Sequence, residues 1–308
     1  MTQSNHGEAP RWLSRGDTAQ RFVLTICASE ALDDALRQLD DVLGDLQIDA
    51  RQTRSARIVD VTVTCKPARA WSLFQSLRER LAHVDAYIQP RSELGKKLLI
   101  CDMDMTIVAA ETLDEVARIL GLGEQIASIT KRAMHGEIDF NTALRERIAM
   151  LAGHPVQVFH DVAQSLSFNP GAEQLLGAAK AAGVHTVLIS GGFSQVAEPV
   201  ARKLGFDEVY CSQLELDGEK LTGGLLEPIV NADHKCRVLQ QRAQALGFTL
   251  RDCCAIGDGA NDLPMLSAAG LGIAYRAKPV LRAATSCHID ATDLESAIYF
   301  MGLGYAGN

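Results

Sequence analysis

No C-x-x-C pair occurs among the 8 cysteines, which stand at 27, 65, 101, 211, 236, 253, 254 and 287. Several lie inside apolar runs, so the expectation is buried, reduced thiols and a cytoplasmic location. No run of 18 apolar residues occurs anywhere, and Met1 to Gln20 are polar. A membrane span and a signal peptide are therefore not expected. Positive charge is scarce: 30 Lys and Arg face 38 Asp and Glu, a formal net charge of −8. A surface that wraps nucleic acid is disfavoured. An anion is still a feasible ligand, provided that positive charge is gathered locally.

What is present is ordinary for a globular protein. Hydrophobic residues make up 47% and charged residues 22% of 308. Disorder, a collagen-like rod and a disulfide mini-scaffold are excluded. At ~150 residues per domain the length suggests two domains, and such a chain buries a substantial core without cross-links.

Residues 1–20 read as a flexible tail. A β-like run follows at Phe22, Val23, Leu24 and Ile26, then a helical spacing at Leu32, Ala35, Leu36, Leu39, Val42 and Leu43. Val59, Val61, Val63 and Cys65 alternate with Asp60, Thr62 and Thr64, the pattern of a half-buried strand. Trp71, Phe74, Leu77 and Leu81 form a second helical stripe, and His83 to Gln89 closes the block with a strand. Residues 21–90 thus read as a small α+β βαββαβ domain, without a catalytic constellation. Pro90 to Lys97 reads as a linker.

From residue 96 to 308 the pattern changes. Leu98 to Cys101 is a continuous apolar run, as are Thr186–Ile189, Cys253–Ile256 and Leu271–Ala274. Such runs suit strands covered on both faces. Helical patterns separate them, which predicts an α/β, doubly wound (Rossmann-like) parallel sheet. An all-helical stretch at about 110–168 is too long for a crossover and reads as a cap insertion above the carboxyl ends of the strands. Asp217-Gly218 within 208–230 signals a hairpin.

Four groups of residues carry chemistry. Asp102-Met103-Asp104-Met105-Thr106 places two carboxylates and a hydroxyl where the first core strand ends. Alone, D-x-D-x-T also suits a capped loop. Ser190-Gly191-Gly192 ends the next strand, where small residues let backbone N–H groups approach an anion before a helix begins. Lys235 supplies a cation. Gly257-Asp258-Gly259-Ala260-Asn261-Asp262 follows a third strand and offers hard oxygen ligands that suit Mg²⁺.

In that fixed order the four groups resemble the motifs of the haloacid dehalogenase (HAD) superfamily of aspartate-nucleophile phosphatases, over about residues 96–308. The resemblance implies Asp102 as nucleophile and Asp104 as general acid and base. It implies Mg²⁺ held by Asp102, the backbone carbonyl of Asp104 and Asp258, with Asp262 in support. Ser190, Gly191 and Lys235 would hold phosphate oxygens, and Asn261 would order the site. Glu111, the segment Met134 to Phe140 and Arg147 resemble the substrate-reading residues of phosphoserine phosphatases. By that likeness Glu111 meets an ammonium, Arg147 a carboxylate, and Met134 and Phe140 wall the pocket.

The implied activity is Mg²⁺-dependent hydrolysis of O-phospho-L-serine, the last step of serine biosynthesis. A phosphotransferase or a broader phosphomonoesterase of the same fold shares every motif. An amino-acid-sensing regulatory protein with a weak phosphatase core is a third reading, which the intact set of Asp102, Asp104, Lys235 and Asp258 opposes. Met105 departs from the family, which often carries a small hydroxyl residue there. The first block resembles ACT-type domains, whose roles include binding an amino-acid effector, forming a homodimer, or packing alone.

Overall fold

Phe22 to Ala28 are all buried, which requires cover on both faces of one strand. The computed structural model, which describes residues 8–14, 16–30, 32–43, 48–81 and 83–303, shows what supplies it. The first block runs β1 (Gln20–Ala28), α1 (Asp33–Leu43), β2 (Ile48–Ser55), β3 (Ile58–Cys65), α2 (Pro67–Arg80) and β4 (Val84–Pro90). Its strands form an antiparallel sheet in the order β2-β3-β1-β4, and α2 packs on β1 and β4. Asp60, buried within β3, is satisfied by Thr25 Oγ1 at 2.6 Å and Arg54 Nε at 2.7 Å.

The second block begins with β5 (Leu98–Asp102) and the helices α3 (Thr112–Ile119), α4 (Gly123–Met134), α5 (Phe140–Ala149) and α6 (Gln157–Ser165). There follow α7 (Ala172–Ala181), β6 (His185–Phe193), α8 (Ser194–Leu204), β7 (Glu208–Asp217) and β8 (Lys220–Leu226). The chain ends with α9 (Ala232–Ala245), β9 (Cys253–Gly257), α10 (Leu263–Ala268), β10 (Leu271–Tyr275), α11 (Pro279–Ala283), β11 (Cys287–Ile289) and α12 (Ser296–Phe300). The sheet order is β11-β10-β9-β5-β6-β7-β8, parallel except for the β7–β8 hairpin. That hairpin turns at Gly218, where φ is 58°. Both β5 and β9 are buried at every position, which accounts for their unbroken apolar runs. The first strand, β5, sits between β6 and β9, so the winding reverses there. Ligands of open α/β sheets bind at the carboxyl ends of strands at such a reversal.

The two blocks are bound to each other. Helix α12 packs against β1. Rings from Phe22 through Trp12, Trp71, Phe74 and Tyr87 to Phe300 lie 5.0 to 6.3 Å apart in succession. The Asp85 carboxylate accepts hydrogen bonds from the backbone N–H groups of Asp290, Ala291 and Thr292 at 2.9, 3.1 and 2.8 Å. Gln89 donates to the Phe300 carbonyl at 2.6 Å.

The sequence reading differs from the structure in three places. Residues 1–7 lie outside the described residues, but Arg11–Ser14 form a 3-10 turn whose Trp12 is buried; this part of the stretch is no tail, because Phe22 and Trp71 give the indole an apolar seat. Pro90 to Lys97 is a fixed connector, with Lys96 buried and donating to the Arg251 carbonyl at 2.7 Å. Strand β2 has no apolar alternation and is almost wholly exposed; it is held as an edge by backbone pairing to β3. No helix among the described residues is long and apolar enough to cross a membrane.

One contact between the blocks responds to acid. His288 Nδ1 lies 2.8 Å from Arg78 Nη2, and its Nε2 lies 2.8 Å from the Thr285 carbonyl. Arginine only donates, so Nδ1 accepts and Nε2 carries the proton. Burial, then Arg78 and Arg282, hold this imidazole neutral down to about 4. An unfolded histidine takes its proton near pH ~6.5. Its contribution to stability is therefore whole above ~6.5 and is lost as the pH falls toward ~4. Since one pH unit is worth about 1.4 kcal/mol, up to ~3 kcal/mol is at stake. In melts across that window, His288→Gln should lose stability less steeply than the parent protein; parallel curves would refute this assignment.

Candidate active site

Strand β5 delivers Asp102 to the sheet edge, paired with Ile189 and one step beyond the Cys101–Ile256 pair. Ser190 and Asp258 are thereby brought to the same edge. After Asp102 the chain coils about the Met103 carbonyl, which accepts from the N–H groups of Thr106, Ile107 and Val108 at 3.3, 2.8 and 2.9 Å. Met105 takes a left-handed φ of 56° in this coil and is 40% exposed. A β-unbranched residue tolerates that conformation at a cost of about 1 kcal/mol. Asn169 Nδ2 clamps the coil by donating to the carbonyls of Met105, Thr106 and Val108 at 3.2, 2.9 and 3.3 Å.

Asp104 points from the coil toward two donors. Oδ1 accepts from the Thr112 N–H at 3.0 Å, and Oδ2 from Ser190 Oγ at 3.4 Å. Burial, with Glu111 adding repulsion, raises its pKa to about 6 against the opposing Thr112 bond. Ser190 Oγ also accepts from the Gly192 N–H at 2.8 Å. A Cβ at Gly192 would stand 3.3 Å from Asp104 Oδ2 and 3.0 Å from Ser190 Oγ, so the second glycine keeps this corner open.

Lys235 enters from the first turn of α9, whose N-cap Asn231 accepts from the His234 N–H at 3.0 Å. Its side chain is only 1% exposed, and Nζ donates to Asp102 Oδ1 at 2.5 Å and Asp262 Oδ1 at 2.7 Å. Burial opposes its charge, but the two carboxylates outweigh that and keep it protonated. Asp262 Oδ2 accepts from the N–H groups of Asp258 and Gly259 at 3.2 and 3.1 Å. Gly257 is required here: a Cβ would meet the Asp262 side chain at 2.5 Å.

Asp102, Asp258 and Asp262 each offer an oxygen within 4.8 Å of the others. Lys235 bridges two of these carboxylates, while Asp258 has Lys278 Nζ at 3.4 Å, an ammonium it shares with Glu111, so the pocket keeps an excess of negative charge. Burial and Asp262 push Asp102 well up despite Lys235. Burial raises Asp258 to about 6, with Asp262 and Glu111 adding to it and Lys278 opposing. A hard dication fits this donor set. Asp262 already holds Lys235 and two backbone amides, so it positions the pocket, while Asp102 and Asp258 are the better ligands. The Thr106 hydroxyl is buried without a partner close by.

The outer residues are placed unevenly. Glu111 stands at the N-cap position of α3 without a side-chain capping bond, and its Oε1 accepts from Lys278 Nζ at 3.2 Å. Arg147 is half-buried on α5; burial lowers its pKa, and the charges of Asp114, Glu111 and Asp104 act against that. The Phe140 ring covers Gly191, where a Cβ would lie 3.3 Å from Cζ. Met134 is 81% exposed in this structure. Asn261 Oδ1 stands 2.5 Å from where a Cβ on Gly259 would be, over the glycine loop. Sequence reasoning missed Asn169 and Lys278, since neither sits in a motif.

The model of haloacid dehalogenase-like hydrolases matches residues 99–267, and that span holds all four groups. The chain belongs to the haloacid dehalogenase-like hydrolases. It is 40% identical over 207 residues to a phosphoserine phosphatase of Lactococcus lactis, covering 67% of this chain and 96% of that one. A solved HAD family hydrolase of Salmonella enterica serovar Typhi superposes with a TM-score of 0.83 at 31% identity, over 91% of this chain and 98% of the other. A phosphoserine phosphatase solved as a phospho-aspartyl intermediate analogue gives a TM-score of 0.62 at 35% identity, over 67% and 98%. These relatives place this hydrolase among the phosphatases of its family.

Proposed function

We propose that this phosphatase hydrolyses O-phospho-L-serine to L-serine and phosphate through a phosphoryl group carried on Asp102. The observation that carries the reading is the contrast between two neighbouring carboxylates. Asp102 faces Lys235 at 2.5 Å. Asp104 is turned to Thr112 and Ser190 instead; burial pushes both acids up, so the contrast lies in their partners. Two acids in environments this different suit two roles. An Asp102 oxygen attacks phosphorus as the P–O bond to serine breaks, and Asp104 gives its proton to the departing alkoxide. Asp104 then takes a proton from the water that attacks the phosphoaspartate, which frees phosphate and restores both groups. Lys235 and the Ser190–Gly192 end of β6 offset the charge of the phosphoryl oxygens. Asp102, Asp258 and the Asp104 carbonyl would hold Mg²⁺, which supplies Lewis-acid neutralisation of the attacked phosphate.

Glu111 and Arg147 are in reach of each other's charge and of that of Asp104. They are the acidic and basic groups that a zwitterionic leaving group needs: Glu111 for the ammonium, Arg147 for the carboxylate. Phe140 would close the pocket over Gly191, and Met134 would join it only when α4 moves inward. The order β2-β3-β1-β4 supports reading residues 21–90 as an ACT-like domain beside a phosphatase core at 96–308.

The test separates substrate reading from chemistry. Arg147→Ala should lower kcat/KM for phosphoserine about 100-fold, the worth of one charge-assisted bond. p-Nitrophenyl phosphate, which lacks the carboxylate, should change less than about threefold. Equal losses on both would show that Arg147 serves the fold or the phosphate.

A further inference from the structure

Lys278 is absent from every motif, yet it is fixed at both ends beside the site. It is the N-cap residue of α11, ahead of Pro279. Its backbone N–H donates to the Asp258 carbonyl at 2.8 Å. Its Nζ lies 3.2 Å from Glu111 Oε1 and 3.4 Å from Asp258 Oδ2. One ammonium thus bridges the loop after β5 to the loop after β9. We propose that Lys278 is a positioning residue that sets substrate selectivity: it holds Glu111 toward the leaving-group pocket while competing with the cation for Asp258. This rests on reading Glu111 as the partner of the substrate ammonium.

Three observations support it. Glu111 makes no capping bond with its own helix, and its side chain is 48% exposed. Without a tether it would spread over several rotamers, an entropic cost that ligand binding must then meet. Its charge also faces Asp104, Asp114 and Asp258, all of which it pushes up. In that acidic mouth an untethered carboxylate is driven outward. Finally, Lys278 takes Oε1 alone, and among the described residues nothing claims Oε2, which stays available for a second cation. An exposed ion pair contributes little to folding, so the effect belongs to recognition.

The tests use the full chain. Lys278→Met should raise KM for phosphoserine about tenfold, with KM carrying the change. It should alter KM for 3-phosphooxypropanoate, which lacks only the ammonium, by less than about twofold. Calorimetric titration of Mg²⁺ into the metal-stripped variant should show about threefold tighter binding, because a cation has left Asp258. General damage to the loop would weaken both ligands, so opposite signs mark positioning. Lys278→Arg should restore the phosphoserine KM. Equal loss on both substrates, or weaker Mg²⁺ binding, overturns the proposal. Glu111→Gln distinguishes the levels. If it leaves the preference for phosphoserine intact, the reading of Glu111 fails; if it abolishes the preference while Lys278→Met does not, only the role of Lys278 fails.

Discussion

Asp102→Asn should cut turnover by about four orders of magnitude, because an amide oxygen cannot attack phosphorus and then leave as a carboxylate. The fold should survive. The amide can still accept from Lys235, and the second bond of that lysine, to Asp262 at 2.7 Å, is untouched. Stability should not fall at neutral pH. An acid whose pKa is raised by burial and by Asp262 is most costly when ionised, so its penalty grows as the pH rises through that value. The neutral amide removes the penalty. We expect the variant to melt no lower than the parent at pH 7, with circular dichroism unchanged. Phosphate release near the parent rate would remove Asp102 from the chemistry, whatever the melt showed.

Removal of divalent cations should have an effect of similar size. The excess of negative charge around Asp102, Asp258 and Asp262 repels a phosphate dianion; Lys235 is already engaged by two of them, and Lys278 is shared between Asp258 and Glu111. Chelation should bring hydrolysis to background, and Mg²⁺ should restore it. A readout independent of activity follows from linkage. At a Mg²⁺ concentration ~100 times its Kd the fold gains about 2.7 kcal/mol. For a chain of this size that raises Tm by roughly 5 °C. Asp258→Asn should lose this shift, since it removes the least engaged ligand of the set. Full activity in excess chelator, or an unaltered Mg²⁺-dependent shift in Asp258→Asn, would contradict the assignment.

What could be seen in the residues alone follows from locality. Leu98–Cys101 and Cys253–Ile256 are legible because an inner strand of a parallel sheet needs apolar side chains on both faces. The carboxylates at 102, 104 and 258 are legible because each follows such a run. The illegible parts depend on residues distant in the chain. Asn169 clamps Met105 across 64 positions, and Lys278 reaches Glu111 across 167. Neither separation leaves a local pattern. Strand β2 escaped because its pairing is by backbone and its side chains face water. Trp12 escaped because the pair Trp12-Leu13 in a polar stretch is too short to show a period. Met134 is the converse case: its position in a family-like segment implied a pocket wall, yet the side chain is exposed.

The double cover of β1 has a consequence for synthesis. One of its faces is closed by α12, which lies about 270 residues further along the chain. At a rate of ~5–20 residues per second, that face stays bare on the ribosome for roughly 15 to 50 seconds. Phe22 to Ala28 therefore emerge with an apolar surface long before its lid exists. The nascent chain must be shielded over that interval, and a transcript cut short before residue 296 would release a product with this sticky sheet permanently open.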